Sequence, residues 1–313
     1  MSEIVDGAFL VTKPAGITSF DVIRKFQFAT KGRKTKFGHT GTLDPFATGL
    51  LIVLVGRAVK LSSYFTQMDK TYRGTIRFGS KTSSGDPTTT IIETSSTIPS
   101  NLDALKLAAK SFTQADYWQI PPMYSSVKKN GRPLYQLARK GIEIEREPRL
   151  RKIHDFTISS LSETGAKFKA SCSSGTYIRT LAQDLAEKLG SIALLEQLER
   201  TEIGPYSVES AVSIEDATEL LLSDDISSDE KCFVPFIDLF SHWPKLQISD
   251  EQYLKMAHGN KKTFEDVQNL AETQFDYKKV PLLSLVRAQK PIGLAQYQPE
   301  LGWKIVKIFD NLD

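Results

Sequence analysis

The chain has 313 residues, 40% of them hydrophobic and 25% charged, the make-up of a soluble globular protein with enough apolar residues for a sizeable core. An aromatic content of 10% and a formal net charge of +3 exclude disorder as the whole account. The longest apolar run, Leu50 to Val55, falls far short of the roughly 20 residues a membrane-spanning helix needs, so no membrane partner is expected.

The opening MSEIVDGAFL lacks a basic start followed by a long apolar stretch, so neither a secretory signal nor a transit peptide is expected. Residues 8–12 read as a short strand that ends at Lys13-Pro14-Ala15-Gly16, a turn signal. Ser19 is placed to cap a helix to about residue 28, with Val22, Ile23 and Phe26 at helical spacing. A basic loop over 31–37 follows, then the turn-rich GHTGTLDPFATG of residues 38–49 and the apolar run LLIVLV, which suits a central strand. In 72–78, Tyr72, Gly74, Ile76 and Phe78 alternate with Arg73, Thr75 and Arg77, the pattern of a half-buried strand. Residues 80–90 read as a polar loop and 101–112 as an amphipathic helix.

Alternation returns in 166–173, which makes Cys172 a core residue. Residues 176–189 then put Ile178, Leu181, Leu185 and Leu189 on one helical stripe. The acidic stretch 209–230 reads as a surface helix and loop. Pro235 and Pro244 bracket a boundary, giving an expected catalytic domain over 1–240 and a small β domain over 241–313, with strands at 281–287, 292–297 and 303–309. Strands interleaved with helices indicate a mixed α+β body. Two cysteines, Cys172 and Cys232, are too few for a disulfide framework, so a reducing cytoplasm is the expected setting.

Charge is unevenly spread. Arg24 to Lys36 holds six bases and no acid, and Lys128 to Lys152 holds nine bases and three acids, whereas Thr201 to Glu230 holds nine acids and no base. Two basic runs in a nearly neutral chain point to a polyanionic partner, since Lys and Arg contacts to phosphates supply most sequence-independent affinity for nucleic acid.

Metal chemistry is not expected. The four histidines, His39, His154, His242 and His258, are scattered, with no HExxH and no close Cys/His pairing. A phosphate-cradling Gly-rich loop and a GxSxG elbow are both missing from the sequence. What stands out is Thr42-Leu43-Asp44-Pro45. Alone, Asp-Pro is a turn initiator. A carboxylate on a tight loop, ahead of a buried strand and near a basic run, can also serve as a nucleophile when a cation holds it ionised and oriented.

The run GHTGTLDPFATGLLIVLVGRAVKL resembles the signature of the TruB family of tRNA pseudouridine synthases. Three further segments resemble that family in the same order: LVTKPAGITSFDV, QIPPMYSSVKKNGRPLYQLARKGIEIEREPR and CSSGTYIRTLAQDLAEKLG. The likeness covers roughly residues 8–206, and the tail LLSLVRAQKPIGLAQYQPELGWKIVKIF is more weakly similar to the PUA-type RNA-binding barrel. The resemblance implies a pseudouridine synthase fold, a mixed and largely antiparallel sheet flanked by helices. It implies isomerisation of uridine 55 in the tRNA T-arm to pseudouridine, with no cofactor and no metal, by a protein expected to be a monomer.

By the same resemblance Asp44 is the nucleophile. Tyr72 packs on the uracil and is a candidate for removing the C5 proton. Arg179 pairs with the nucleophile, as an adjacent guanidinium fixing a carboxylate would. Tyr177 and Leu198 are further pocket residues, and Asp86 meets the edge of the flipped uracil, in a loop where Ser83 stands in place of the acid that relatives often carry. His39 falls on a position that stacks in the T-loop. Lys13, Lys60, Arg33, Lys128, Lys129 and Arg132 are expected phosphate contacts. Two alternatives remain at this point: a non-catalytic tRNA-binding chaperone on the same scaffold, and a guided pseudouridine synthase acting on another RNA.

Overall fold

The computed structural model describes residues 5–31, 33–129, 131–223, 226 and 231–309; the end of the acidic stretch, 224–225 and 227–230, lies outside them. The chain divides into two compact units, Met1–Phe233 and Val234–Asp313.

In the first unit the run of buried aliphatics at 50–55 lies in the strand Thr48–Val55, whose residues after Thr48 are all buried. It sits inside a mixed sheet that runs in the order Ile153–Leu161, Gly165–Cys172, Lys70–Phe78, Ala193–Ile203, Thr48–Val55, Gly7–Lys13. Pairing along this path is antiparallel except where Glu199 and Arg200 lie opposite Thr48 and Gly49 in parallel. Both faces of the central strand are covered, which is why its sequence is continuously apolar. Leu51, Val53 and Val55 join Phe9, Val22, Phe26 and Ile214 in one core. A second core gathers Tyr72, Ile76, Phe168, Leu195 and Leu198 under the helices Leu102–Ser111 and Ile178–Glu187. The expected alternation in 72–78 holds, with Tyr72, Ile76 and Phe78 buried.

Local chemistry explains the element ends. The helix Ser19–Ala29 is capped by Thr18, not by Ser19: Thr18 and Asp21 form a reciprocal capping box. This frees the buried Ser19 hydroxyl, which accepts from the Leu43 N–H at 2.9 Å and donates to the Leu43 carbonyl at 3.3 Å. One side chain thereby pins the residue before Asp44. Gly49 lies at φ +104°, and a Cβ there would stand 2.3 Å from the Arg200 carbonyl oxygen, so only glycine admits the close parallel crossing.

The polar stretch after Gly79 is not a plain surface loop. Ser80–Thr82 pairs with Ile91–Thr94, and Thr82, Ser84 and Asp86 are buried. They can be buried because they satisfy one another: Ser84 Oγ and the Thr88 N–H donate to Asp86 Oδ1 at 2.7 and 3.0 Å.

The second unit has a sheet ordered Lys245–Gln247, Leu282–Arg287, Lys290–Gln298, Gly302–Ile308, antiparallel except for the first pair. Two helices, Asp250–Ala257 and Lys261–Gln274, stand beside the strands expected from sequence. Their apolar stripes are thin: Met256 in the first, Val267 and Ala271 in the second. Their start signals, a Ser249–Gln252 capping box and an Asn260 cap, are nonetheless clear in hindsight. Leu246, Leu285, Val267 and Trp303 form its core. No helix of the described residues is long and apolar enough to cross a membrane.

Candidate active site

Four separate stretches of chain meet at Arg179. Its helix has no side-chain cap, and Arg179 lies beside Ala182 and Ala186 at i, i+3, i+7, where small residues leave room for it to turn inward. Its side chain is only 3% exposed. Nε and Nη2 donate to the two oxygens of Asp44 at 2.8 and 3.2 Å, a bidentate pair. Nη1 donates to the Ser84 carbonyl at 2.5 Å and Nη2 also to the Tyr124 carbonyl at 2.7 Å. Every terminal nitrogen is used, so the guanidinium plane is fixed.

Asp44 is the open member of the pair, with 32% of its side chain exposed. Burial raises its carboxyl above the ordinary value; Arg179 pulls the other way, Asp86 adds to the rise and Lys13 opposes it. The result is an oriented carboxylate with solvent on one side and a buried cation on the other. Its loop is held from below: the Ala47 N–H donates to the Asp44 carbonyl at 3.1 Å and the Gly16 N–H to the Pro45 carbonyl at 2.8 Å.

Lys13 belongs to that support, which corrects the expectation of a phosphate contact. It is fully buried, and its ammonium donates to the Pro14, Ile17 and Pro45 carbonyls at 2.8, 2.9 and 3.4 Å. Burial lowers it to about 8, with Asp44 partly restoring the charge. The chain reverses at Pro14-Ala15-Gly16, so backbone oxygens from both sides of the turn converge on the lysine tip.

Tyr72 faces the same core and is buried. It lies opposite Arg200 in the sheet and hydrogen-bonds it. Burial pushes its hydroxyl up to about 12. Arg200, absent from the sequence-derived set, is fully buried and donates to the Leu50 carbonyl at 2.9 Å and the Gly41 carbonyl at 3.2 Å. It ties the Gly41 turn to the central strand. A signal for it existed: it stands two residues after Leu198, on the same inward face of one strand.

Leu198 is buried in the core with Tyr72 and Leu43. Tyr177 is the residue before the Arg179 helix, and its backbone N–H and carbonyl are both bonded to Gln119. Asp86 is buried, with Oδ1 taken by its own loop and Oδ2 3.7 Å from Arg179 Nε. His39 is half-buried in the short strand Phe37–His39, and burial and Arg200 lower its pKa. Lys60, Lys128, Lys129 and Arg132 are exposed and Arg33 half-buried. None of these five joins the hydrogen-bonded cluster around Asp44. Beside the Asp44 loop, Ala15, Phe46, Thr48, Gly74 and Leu198 line an open groove of about 500 Å³, together with Arg73 and Lys167.

Comparison with known proteins supplies the context. A family profile described as "TruB family pseudouridylate synthase (N terminal domain)" matches residues 27–178. The chain is 44% identical over 212 residues to the tRNA pseudouridine synthase B of Bordetella avium (strain 197N), covering 67% of this chain and 86% of that protein. It is 34% identical over 305 residues to the protein of the same name from Clostridium kluyveri, covering 97% of this chain and 100% of that one. Among solved structures, it is similar to a chain of a Cbf5–Nop10–Gar1 complex, with a TM-score of 0.69 at 20% identity over 98% of this chain and 85% of that one. At that identity the likeness speaks for the fold.

Proposed function

The chain belongs to the TruB family of pseudouridylate synthases, and from that premise we propose that it isomerises uridine 55 in the T-arm of tRNA to pseudouridine, with Asp44 as the nucleophile. The observation that carries this reading is the Asp44–Arg179 pair, a part-exposed carboxylate held in both oxygens by a buried guanidinium. The names of relatives matched over 86% and 100% of their own length support tRNA as the substrate.

In the isomerisation the N1–C1′ bond breaks, the uracil turns, a C5–C1′ bond forms, C5 loses its proton and N1 gains one. Atoms and electrons balance, so no oxidant, reductant or organic cofactor is consumed. Asp44 bonds covalently to the target nucleoside and is released when the product forms. A uridine in an RNA arm must leave its stack to reach it, which costs a few kcal/mol. Stacking by His39 and phosphate contacts from Lys60, Arg33, Lys128, Lys129 and Arg132 offset that cost.

Arg179 holds Asp44 ionised and aimed. Tyr72, Tyr177 and Leu198 wall the pocket, and Asp86 meets the uracil edge through Oδ2. Tyr72 packs against the uracil and is the candidate for taking the C5 proton, its hydroxyl pushed up to about 12 by burial until the site is occupied. We assign the second unit, Val234–Asp313, to RNA binding as a PUA-type domain. The protein acts as a monomer in the cytoplasm.

The test is tritium release from an unmodified tRNA transcript labelled at C5 of uridine, with Asp44→Asn beside the wild type. Release by the wild type, abolished in Asp44→Asn with tRNA binding retained, is the expected result. Retained release by purified Asp44→Asn would remove Asp44 from its role.

A further inference from the structure

Gln119 is 1% exposed and touches neither Asp44 nor Arg179 in any described contact, yet its side-chain amide bonds both backbone groups of the residue that starts the helix delivering Arg179. Oε1 accepts from the Tyr177 N–H at 2.8 Å, and Nε2 donates to the Tyr177 carbonyl at 3.0 Å. Nε2 also donates to the Tyr117 hydroxyl at 3.0 Å, which in turn donates to Asp184 Oδ2 at 2.5 Å. Tyr117 and Gln119 point from the same face of the short strand Tyr117–Gln119. They therefore grip the helix Ile178–Glu187 at two points seven residues apart, two turns on one side.

This grip fixes the start of the helix by its N-cap backbone instead of by a cap side chain. Tyr177 offers no side-chain cap, so the first turn would otherwise be free to fray or rotate. Arg179 sits in that first turn. A rotation there would swing a guanidinium whose four acceptors, on Asp44, Ser84 and Tyr124, come from three other segments.

We propose that Gln119, backed by Tyr117, is a positioning residue for the Asp44–Arg179 pair, setting the rotation and register of the Arg179 helix. The inference rests on Asp44 being the nucleophile, and the test separates the two. Gln119→Met keeps the volume and removes all three hydrogen bonds. Tyr117→Phe removes the hydroxyl's bonds to Asp184 and to Gln119 Nε2, leaves both Gln119–Tyr177 bonds, and keeps the ring in its core, where it lies edge-on to Phe112 at 5.2 Å.

In tritium release by the full-length protein, Gln119→Met lowers kcat by about tenfold or more, the scale on which sub-ångström misplacement acts. KM for tRNA stays within about twofold, as for a group removed from orientation rather than binding. The acid limb of its pH–rate profile moves to higher pH, because a loosened Arg179 holds Asp44 ionised less well. Tyr117→Phe moves both readouts in the same direction by less. Wild-type kcat and an unmoved acid limb in a folded Gln119→Met would overturn the proposal, as would a loss carried by KM alone. Should Gln119→Met fail to fold, Tyr117→Phe decides by the same criteria. Activity in Asp44→Asn would instead sink the parent reading.

Discussion

Replacing Lys13 by methionine separates two physical roles that one lysine could play. As a phosphate contact, Lys13 would contribute one counterion-releasing charge, and its loss would flatten the dependence of log Kd on log salt by about 0.7 to 0.9. The structure assigns it elsewhere, to three backbone carbonyls around the turn below Asp44. The two short bonds are charge-assisted and worth about 1.5 to 3 kcal/mol each. Against them stands the burial of the ammonium, which lowers it from 10.5 to about 8, an opposing contribution of about 3 kcal/mol at 1.36 kcal/mol per tenfold. The net loss in Lys13→Met is therefore modest, at most about 3 kcal/mol, since methionine keeps the aliphatic packing. What suffers is the turn from Pro14 to Ile17, whose Gly16 N–H holds the Pro45 carbonyl, and with it the aim of Asp44, so kcat falls. Filter binding of a tRNA transcript across a salt series, with urea unfolding and tritium release, reads all three quantities. An unchanged slope with lowered kcat is expected, and Arg132→Ala serves as the exposed comparator whose slope does fall. A slope lowered by about 0.7 to 0.9 in Lys13→Met, with stability unchanged, would refute the reasoning.

The buried lysines also shape stability against pH. Lys13 and Lys70 are both lowered to about 8, chiefly by burial, while unfolded lysines keep their protons to about 10.4. From pH 8 to 9 the unfolded chain binds more protons, so stability rises with pH. Cys172 and Tyr72, both raised to about 12 by burial, act oppositely, because the folded chain keeps protons that the unfolded one releases. Stability turns down only above about pH 10, where unfolded tyrosine also releases its proton. Urea midpoints from about pH 7.5 to 11 should show this maximum, and a steady fall from pH 7.5 would contradict it. Gly49→Ala forces a Cβ to 2.3 Å from the Arg200 carbonyl oxygen at a φ of +104°. Left-handed strain and overpacking together give a loss of about 3 kcal/mol. A urea midpoint equal to the wild type would show that the crossing is looser than the geometry says.

The parts of the fold that the sequence made legible are those where burial and periodicity agree. Leu50 to Val55 reads as a central strand because both its faces are covered, and 72–78 reads as half-buried because one face is not. Sequence pattern failed where polar groups are buried in pairs. Ser84 and Asp86 look like loop surface until their mutual bonds are seen, and Ser19 looks like a cap until its hydroxyl is found on Leu43. Lys13 reads as a surface charge for the same reason: composition records that a residue is basic, not that carbonyls from a reversed chain await it. The helices of the second unit escape a reading by periodicity because their buried stripes are thin, while their caps are explicit.

The four motif blocks that carried the family resemblance are distant in sequence, and their spacing alone gives no reason for them to travel together. The structure supplies one. The first block contributes Lys13 and Ser19, which hold the Asp44 loop on either side. The second contributes Asp44 itself, and the third contributes the Tyr124 carbonyl and the Gln119 amide. The fourth contributes Arg179, which closes the set and also takes the carbonyl of Ser84. A guanidinium has five donors in one rigid plane, so each acceptor must arrive at a fixed place, and a shift in any one block is felt by the others through Arg179. The blocks are therefore a single device distributed along the chain. That is why Arg179, which local pattern would place on a solvated helix face, is the residue on which the site is built.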